Sequence, residues 1–145
     1  MRYLLDVNSL LALGVLEHEF HSRVASWVGH VGASGALELA TCSITELGFV
    51  RVLGQAQPYG SSVAQARELL LKVKNSDRVR WIFISDNRDI SHLPKWVRTP
   101  KQTTDGHLAG LARANQALLA TLDRRIPGAF LIPQIRRSQT QHEGA

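Results

Sequence analysis

Hydrophobic and polar positions follow two periods along this chain, and the first change between them comes at once. Tyr3-Leu4-Leu5 is a short apolar run that ends at Asp6, and Leu10 to Leu13 follow an Asn8-Ser9 pair suited to capping a helix. Strand, turn and then a helix from Leu10 to Leu16 is the reading. A second helix is predicted over Glu19 to Val31, where Phe20, Val24, Trp27 and Val31 recur at three- to four-residue spacing. Gly29, Gly32 and Gly35 then loosen the chain. Ala36 to Cys42 reads as a strand and Ser43 to Leu53 as a helix, followed by a loop from Gln55 to Ser62 marked by Pro58 and Gly60. Val63, Ala66, Leu70 and Val73 give one face of a helix over Val63 to Lys74. Val79 to Ile84 is a β-rich segment and Asp86 to Thr99 has no period. Thr103-Thr104 precede a helix predicted over Asp105 to Asn115. Leu118 to Asp123 is an apolar strand that ends, like the first, at an aspartate, and Ala129 to Ile132 is a last short strand. Gln134 to Ala145 is polar enough to be expected disordered.

Strands alternate with helices, and the connections are long enough for right-handed crossovers. The predicted fold is therefore α/β, a parallel sheet with helices on both faces. A chain of 145 residues with 44% hydrophobic residues suits one domain, expected over residues 1–133, with 134–145 as a tail. No apolar run is long enough to span a bilayer, and the apolar start is broken by Asp6 and Asn8, unlike a leader sequence. The single cysteine, Cys42, forms no internal disulfide and suits a reducing cytoplasm. A net charge of +5 favours a polyanionic partner. The excess is concentrated between Arg67 and Lys101, where nine basic residues face Glu68, Asp77, Asp86 and Asp89.

Four acids carry the candidate chemistry. Asp6 and Asp123 each terminate a predicted strand, while Glu46 and Asp105 each fall in the first turn of a predicted helix. In a strand-helix-strand unit those positions share one rim of the sheet, the rim at which open α/β sheets bind ligands. Carboxylates gathered there repel one another by about several kcal/mol for a close pair in a partly dry site. Mg²⁺ or Mn²⁺ compensates such a cluster and leaves positions for water and phosphate, which points to metal-assisted phosphodiester hydrolysis. Asp6, Asp105 and Asp123 are the expected metal ligands, with Glu46 completing the catalytic set. Asn8, Thr104 and Thr121 lie beside them as supporting candidates.

Each acid also has a purely structural reading. Ser43 and Glu46 form the sequence of a capping box, Thr104-Asp105 reads as a helix start, and Asp123 precedes Arg124-Arg125, with which it can pair. Asp6 has the weakest such reading, because a carboxylate ending an apolar strand is costly without a partner.

LLDVNSLLAL, SITELGFVRVL, TTDGHLAGLARANQALLATLDRRI and AFLIP, in this order, resemble a PIN-domain protein, most closely the VapC-type toxin ribonucleases of bacterial toxin-antitoxin pairs. The resemblance implies an Mg²⁺- or Mn²⁺-dependent endoribonuclease whose acids correspond to Asp6, Glu46, Asp105 and Asp123. It also implies a homodimer and a small cognate antitoxin of the VapB type. Two departures stand out. Gly106 replaces the family's more usual alanine, a cost to the helix of under about 1 kcal/mol. The run from Arg88 to Lys101 has no general counterpart, and its Trp96 is placed either to stack an RNA base or to pack. Two other functions compete: a non-catalytic RNA- or partner-binding module of the same fold, and an aspartyl-phosphate phosphatase. The latter needs a second acid two residues after the first, where this chain has Asn8.

Overall fold

The computed structural model describes residues 1–55 and 59–136. Five strands, β1 (Arg2–Leu5), β2 (Glu38–Thr41), β3 (Arg80–Phe83), β4 (Leu118–Thr121) and β5 (Phe130–Leu131), form one parallel sheet in the order β3-β2-β1-β4-β5. Tyr3 sits beside Leu39 on one side and Leu118 on the other, which sets the register of the three central strands. Their backbones alternate faces, and the apolar side chains divide accordingly. Tyr3, Leu5, Leu39 and Ala120 face a core built with α1 (Val7–Gly14), α2 (His21–Gly32), α3 (Ser43–Gln55) and α4 (Val63–Lys74). Leu4, Ala40 and Leu119 face a smaller core with Leu108, Leu111 and Ala112 of α5 (Thr103–Ala114). Helices thus cover both faces as the alternation predicts, four against one. Among the described residues no helix is long and apolar enough to cross a membrane.

The helix starts differ from expectation in ways that matter for the rim. Asp6 is itself the cap of α1: its Oδ1 accepts the Ser9 N–H at 2.9 Å, so the helix opens at Val7 and the Asn8-Ser9 pair lies inside its first turn. α3 does begin at Ser43, but its opening turn is held by Thr45, whose Oγ1 accepts the Cys42 N–H at 3.0 Å, and Glu46 turns elsewhere. α5 begins at Thr103, two residues before the predicted Asp105, because a 3₁₀ turn over Pro100–Gln102 feeds it and the Thr103 hydroxyl donates to the Pro100 carbonyl at 2.7 Å. Thr103 and Thr104 are therefore helical residues and not caps.

The segment between β3 and α5 contains a 3₁₀ turn at Ile90–His92 and is pinned to α5 by a His107–Asp86 pair. Trp96 packs against the smaller core. Beside it, a Cβ at Gly106 would lie 2.2 Å from Cγ2 of Val97. Gly106 is thus the point where this segment closes on α5, and the departure from alanine has a steric reason. At the other end of the chain Ile135 still packs on the larger core. Residues 137–145, most of the expected tail, lie outside the described residues, as do residues 56–58 of the loop expected between α3 and α4.

Candidate active site

β1 leads by α1 and α2 to β2 on one side, whereas β4, its other neighbour, is reached only after β3 and α5. The connections therefore depart in opposite directions beyond the carboxyl ends of β1 and β4. That divergence opens a crevice in a doubly wound sheet. A cleft of about 370 Å³ lies there, lined by Asp6, Val7, Asn8, Leu11, Val52, Thr104, Asp105, Leu108, Leu122 and Asp123.

Asp6 forms its floor. Pairing between β1 and β4 extends to its own backbone, whose N–H donates to the Ala120 carbonyl at 3.2 Å. The side chain is buried at 8% exposure, and both oxygens are held: Oδ1 by the Ser9 N–H and Oδ2 by the Thr121 hydroxyl at 2.6 Å. Thr121 is buried and also accepts the Asp123 N–H at 3.0 Å. Its hydroxyl thereby places two acids, donating to one and accepting from the backbone of the other.

Asp123 enters from the loop after β4. Its carboxylate is gripped by Arg125, Nε to Oδ1 and the terminal nitrogen to Oδ2, both at 3.0 Å. Those bonds hold the Asp123 carboxyl below the usual aspartate range. The Arg125 side chain is 88% exposed, so this is a solvated pair of small net value that an incoming charge can displace.

Asp105, in the first turn of α5, is the acid left uncompensated. It is half-buried and accepts no hydrogen bond among the described residues. Burial, and then the charges of Asp6 and Asp123, push its carboxyl above the usual range, while Arg125 offsets only part of this. Three acids thus share one cleft, and one of them is raised by the other two.

Glu46 is placed otherwise. It stands on the same rim one strand away, where Lys74 donates to its Oε2 at 2.6 Å and the Thr41 hydroxyl donates to the same oxygen. It does not line the cleft. Lys74 was missed in the sequence because it lies 28 positions away, at the end of α4, with no local spacing to mark it.

Asn8 and Thr104 are exposed and line the cleft. Asn8 Oδ1 is bonded to His18 Nε2 at 2.9 Å. His107, two residues after Asp105, is spent on Asp86 and does not line the cleft. Trp96 packs instead of presenting its face to the cleft.

The cleft can bind a hard cation chemically. Its donors are carboxylate oxygens, and their mutual repulsion is relieved by positive charge. As they stand, no three such side chains among the described residues are drawn tightly enough together to hold an ion.

No family model matches the chain. It is 37% identical over 141 residues to Ribonuclease VapC44 of Mycobacterium tuberculosis, covering 89% of this chain and 94% of that one. It is 36% identical over 137 residues to Ribonuclease VapC38 of the same organism, covering 92% and 91%. Ribonuclease VapC29 is 36% identical over 124 residues, covering 85% and 86%. Among solved structures, VapBC2 from Rickettsia felis bound to a DNA fragment from their promoter superposes with a TM-score of 0.58 at 17% identity, over 90% of this chain and 97% of that one. That likeness is one of fold.

Proposed function

The chain belongs to the VapC family of PIN-domain ribonucleases, and on that premise we propose that it is the toxin of a toxin-antitoxin pair. Its activity is endonucleolytic hydrolysis of RNA, dependent on Mg²⁺ or Mn²⁺ held by Asp6, Asp105 and Asp123. The observation that carries this reading is Asp105: a half-buried carboxylate, raised by burial and by two neighbouring acids, in a cleft at the divergence of β1 and β4. A fold that only bound RNA would gain nothing from that repulsion.

Asp6, Asp105 and Asp123 would hold the divalent ion, which when bound would lower the pKa of a water and offset charge developing on the phosphate. The chain's own residues prepare for this unequally. Asp6 is fixed on both oxygens, so its geometry is set before substrate arrives. Asp123 is adjustable, because its counter-ion Arg125 is free to swing into solvent and then to meet a phosphate oxygen. Asp105 supplies the unmet negative charge that draws the cation in. Glu46 joins the set only by exchanging Lys74, and Thr104 offers a hydroxyl at the lip. The net charge of +5 favours a polyanion such as RNA as the partner of the chain as a whole.

The Rickettsia felis structure is of a VapBC pair. By that likeness the proposed partner is a VapB-type antitoxin; a second copy of this chain is proposed from the resemblance of its motifs to the VapC toxins, and a cytoplasmic location from its single cysteine.

RNA cleavage by the purified chain is expected with Mg²⁺ or Mn²⁺, to be lost with chelator, and to be lost in Asp6→Asn and Asp105→Asn with the fold intact by circular dichroism. Cleavage that survives both chelation and these substitutions would overturn the reading.

A further inference from the structure

One polar pair at the cleft lies outside the carboxylate chemistry. His18, in the connection between α1 and α2, uses both ring nitrogens: Nδ1 accepts the Phe20 N–H at 3.0 Å, and Nε2 lies 2.9 Å from Asn8 Oδ1. The first bond decides the second. A backbone N–H only donates, so Nδ1 carries no proton, the ring is the Nε2–H tautomer, and Nε2 must donate. Its partner atom on Asn8 is therefore the carbonyl oxygen, by the donor-acceptor logic alone. Burial also pushes the His18 imidazole below its usual range, with His21 adding to and Glu19 opposing the effect, which favours the same neutral ring.

We propose that His18 is a positioning residue, one that holds Asn8 by its Oδ1 and leaves the Nδ2 donors as the polar end of Asn8 available at the cleft, to bind a non-bridging oxygen of the substrate phosphodiester. Asn8 lines the cleft beside Asp6 and Asp105. Among the described residues Nδ2 has no partner. A cleft of carboxylates repels a phosphate wherever a cation does not intervene, and a neutral donor at its edge offsets this without competing for the ion. Turned the other way, the same side chain would present an oxygen to an oxyanion. The inference rests on the ribonuclease reading and adds to it the group that meets the substrate.

The test uses the full chain, with KM and kcat measured on an RNA oligonucleotide and thermal unfolding recorded for each variant. Asn8→Ala and His18→Leu are each expected to raise KM roughly tenfold, the value of one hydrogen bond to a charged group at an exposed site, with kcat little changed. His18→Leu placed on Asn8→Ala is expected to add nothing. His18→Gln, whose amide can accept from Phe20 and donate to Asn8, is expected to restore KM. The ¹⁵N shifts of the His18 ring are expected to show Nδ1 bare and Nε2 protonated.

Full additivity of the two substitutions, an unchanged KM in His18→Leu, or the opposite tautomer would overturn the proposal. Should His18→Leu not fold, Asn8→Asp decides: it still accepts from His18 but presents an oxygen to the phosphate, so an unchanged KM overturns the proposal and a raised one supports it. A wild-type chain that neither binds nor cleaves RNA removes the ribonuclease reading itself. Intact cleavage with an indifferent His18 removes only this inference.

Discussion

The Thr121 hydroxyl donates to Asp6 Oδ2 at 2.6 Å, joining two residues 115 positions apart at the ends of neighbouring strands. Thr121 Oγ1 in turn accepts the Asp123 N–H at 3.0 Å, so one buried side chain sets the spacing of two acids. Thr121→Val keeps the shape and removes the donor. Asp6 then has an unmatched oxygen in a nearly dry place, at a cost of about 1.5–3 kcal/mol. The denaturant midpoint is expected to fall accordingly, with divalent-cation binding by calorimetry weakened. An unchanged midpoint would mean that Asp6 is held by the Ser9 amide alone.

Asp105 makes the metal-free protein less stable as it ionises. Its folded pKa is raised above the unfolded value, so the protonated form favours the fold; this contribution is complete below the unfolded pKa and is lost as pH rises through the folded one. Asp105→Asn is expected to remove that dependence and to raise the metal-free Tm at neutral pH. The gain is expected to be small, because Asp105 is partly exposed and solvent screens the repulsion. Added Mg²⁺ is expected to stabilise the wild type and not the variant, as read by thermal unfolding across pH. A lower Tm for the variant at neutral pH would contradict the repulsion on which the cleft's reading depends.

Lys74 holds Glu46 at 2.6 Å and so decides whether the fourth acid takes part. Lys74→Met releases it at a stability cost of about 1 kcal/mol, since both side chains are partly exposed. If Glu46 joins the cation-binding set by exchange, the variant binds Mn²⁺ more tightly, and Glu46→Gln in that background cancels the gain. Equal affinity in all three proteins would confine the set to the aspartates.

Gly106 is expected to reject a side chain although it lies in a helix. Alanine there gains up to about 1 kcal/mol of helix propensity, yet its Cβ would stand 2.2 Å from Val97 Cγ2, and overpacking of this kind costs about 1–3 kcal/mol. Gly106→Ala is therefore expected to be destabilised. Val97→Ala is expected to rescue it in a double-mutant cycle of denaturant midpoints. A stabilised single variant would show that the segment before α5 yields easily.

The alternation of apolar runs with helical periods determined the class of fold, because period depends only on neighbours in the chain. The α4 periodicity predicted Val63–Lys74 without error, and Asp6, Asp105 and Asp123 were legible as acids at strand ends or helix starts. Pairing across the fold was not legible. Strand order alone set β4 beside β1, which brought Thr121 to Asp6 and Asp123 to the same cleft. By placing β2 one strand away, it left Glu46 to Lys74. Likewise Gly106 read as a flaw in a helix until Val97 was seen to fill its space. Local propensity is written in adjacent residues, but whether a charge is met by a cation, an arginine or another acid depends on distances that only the folded chain sets.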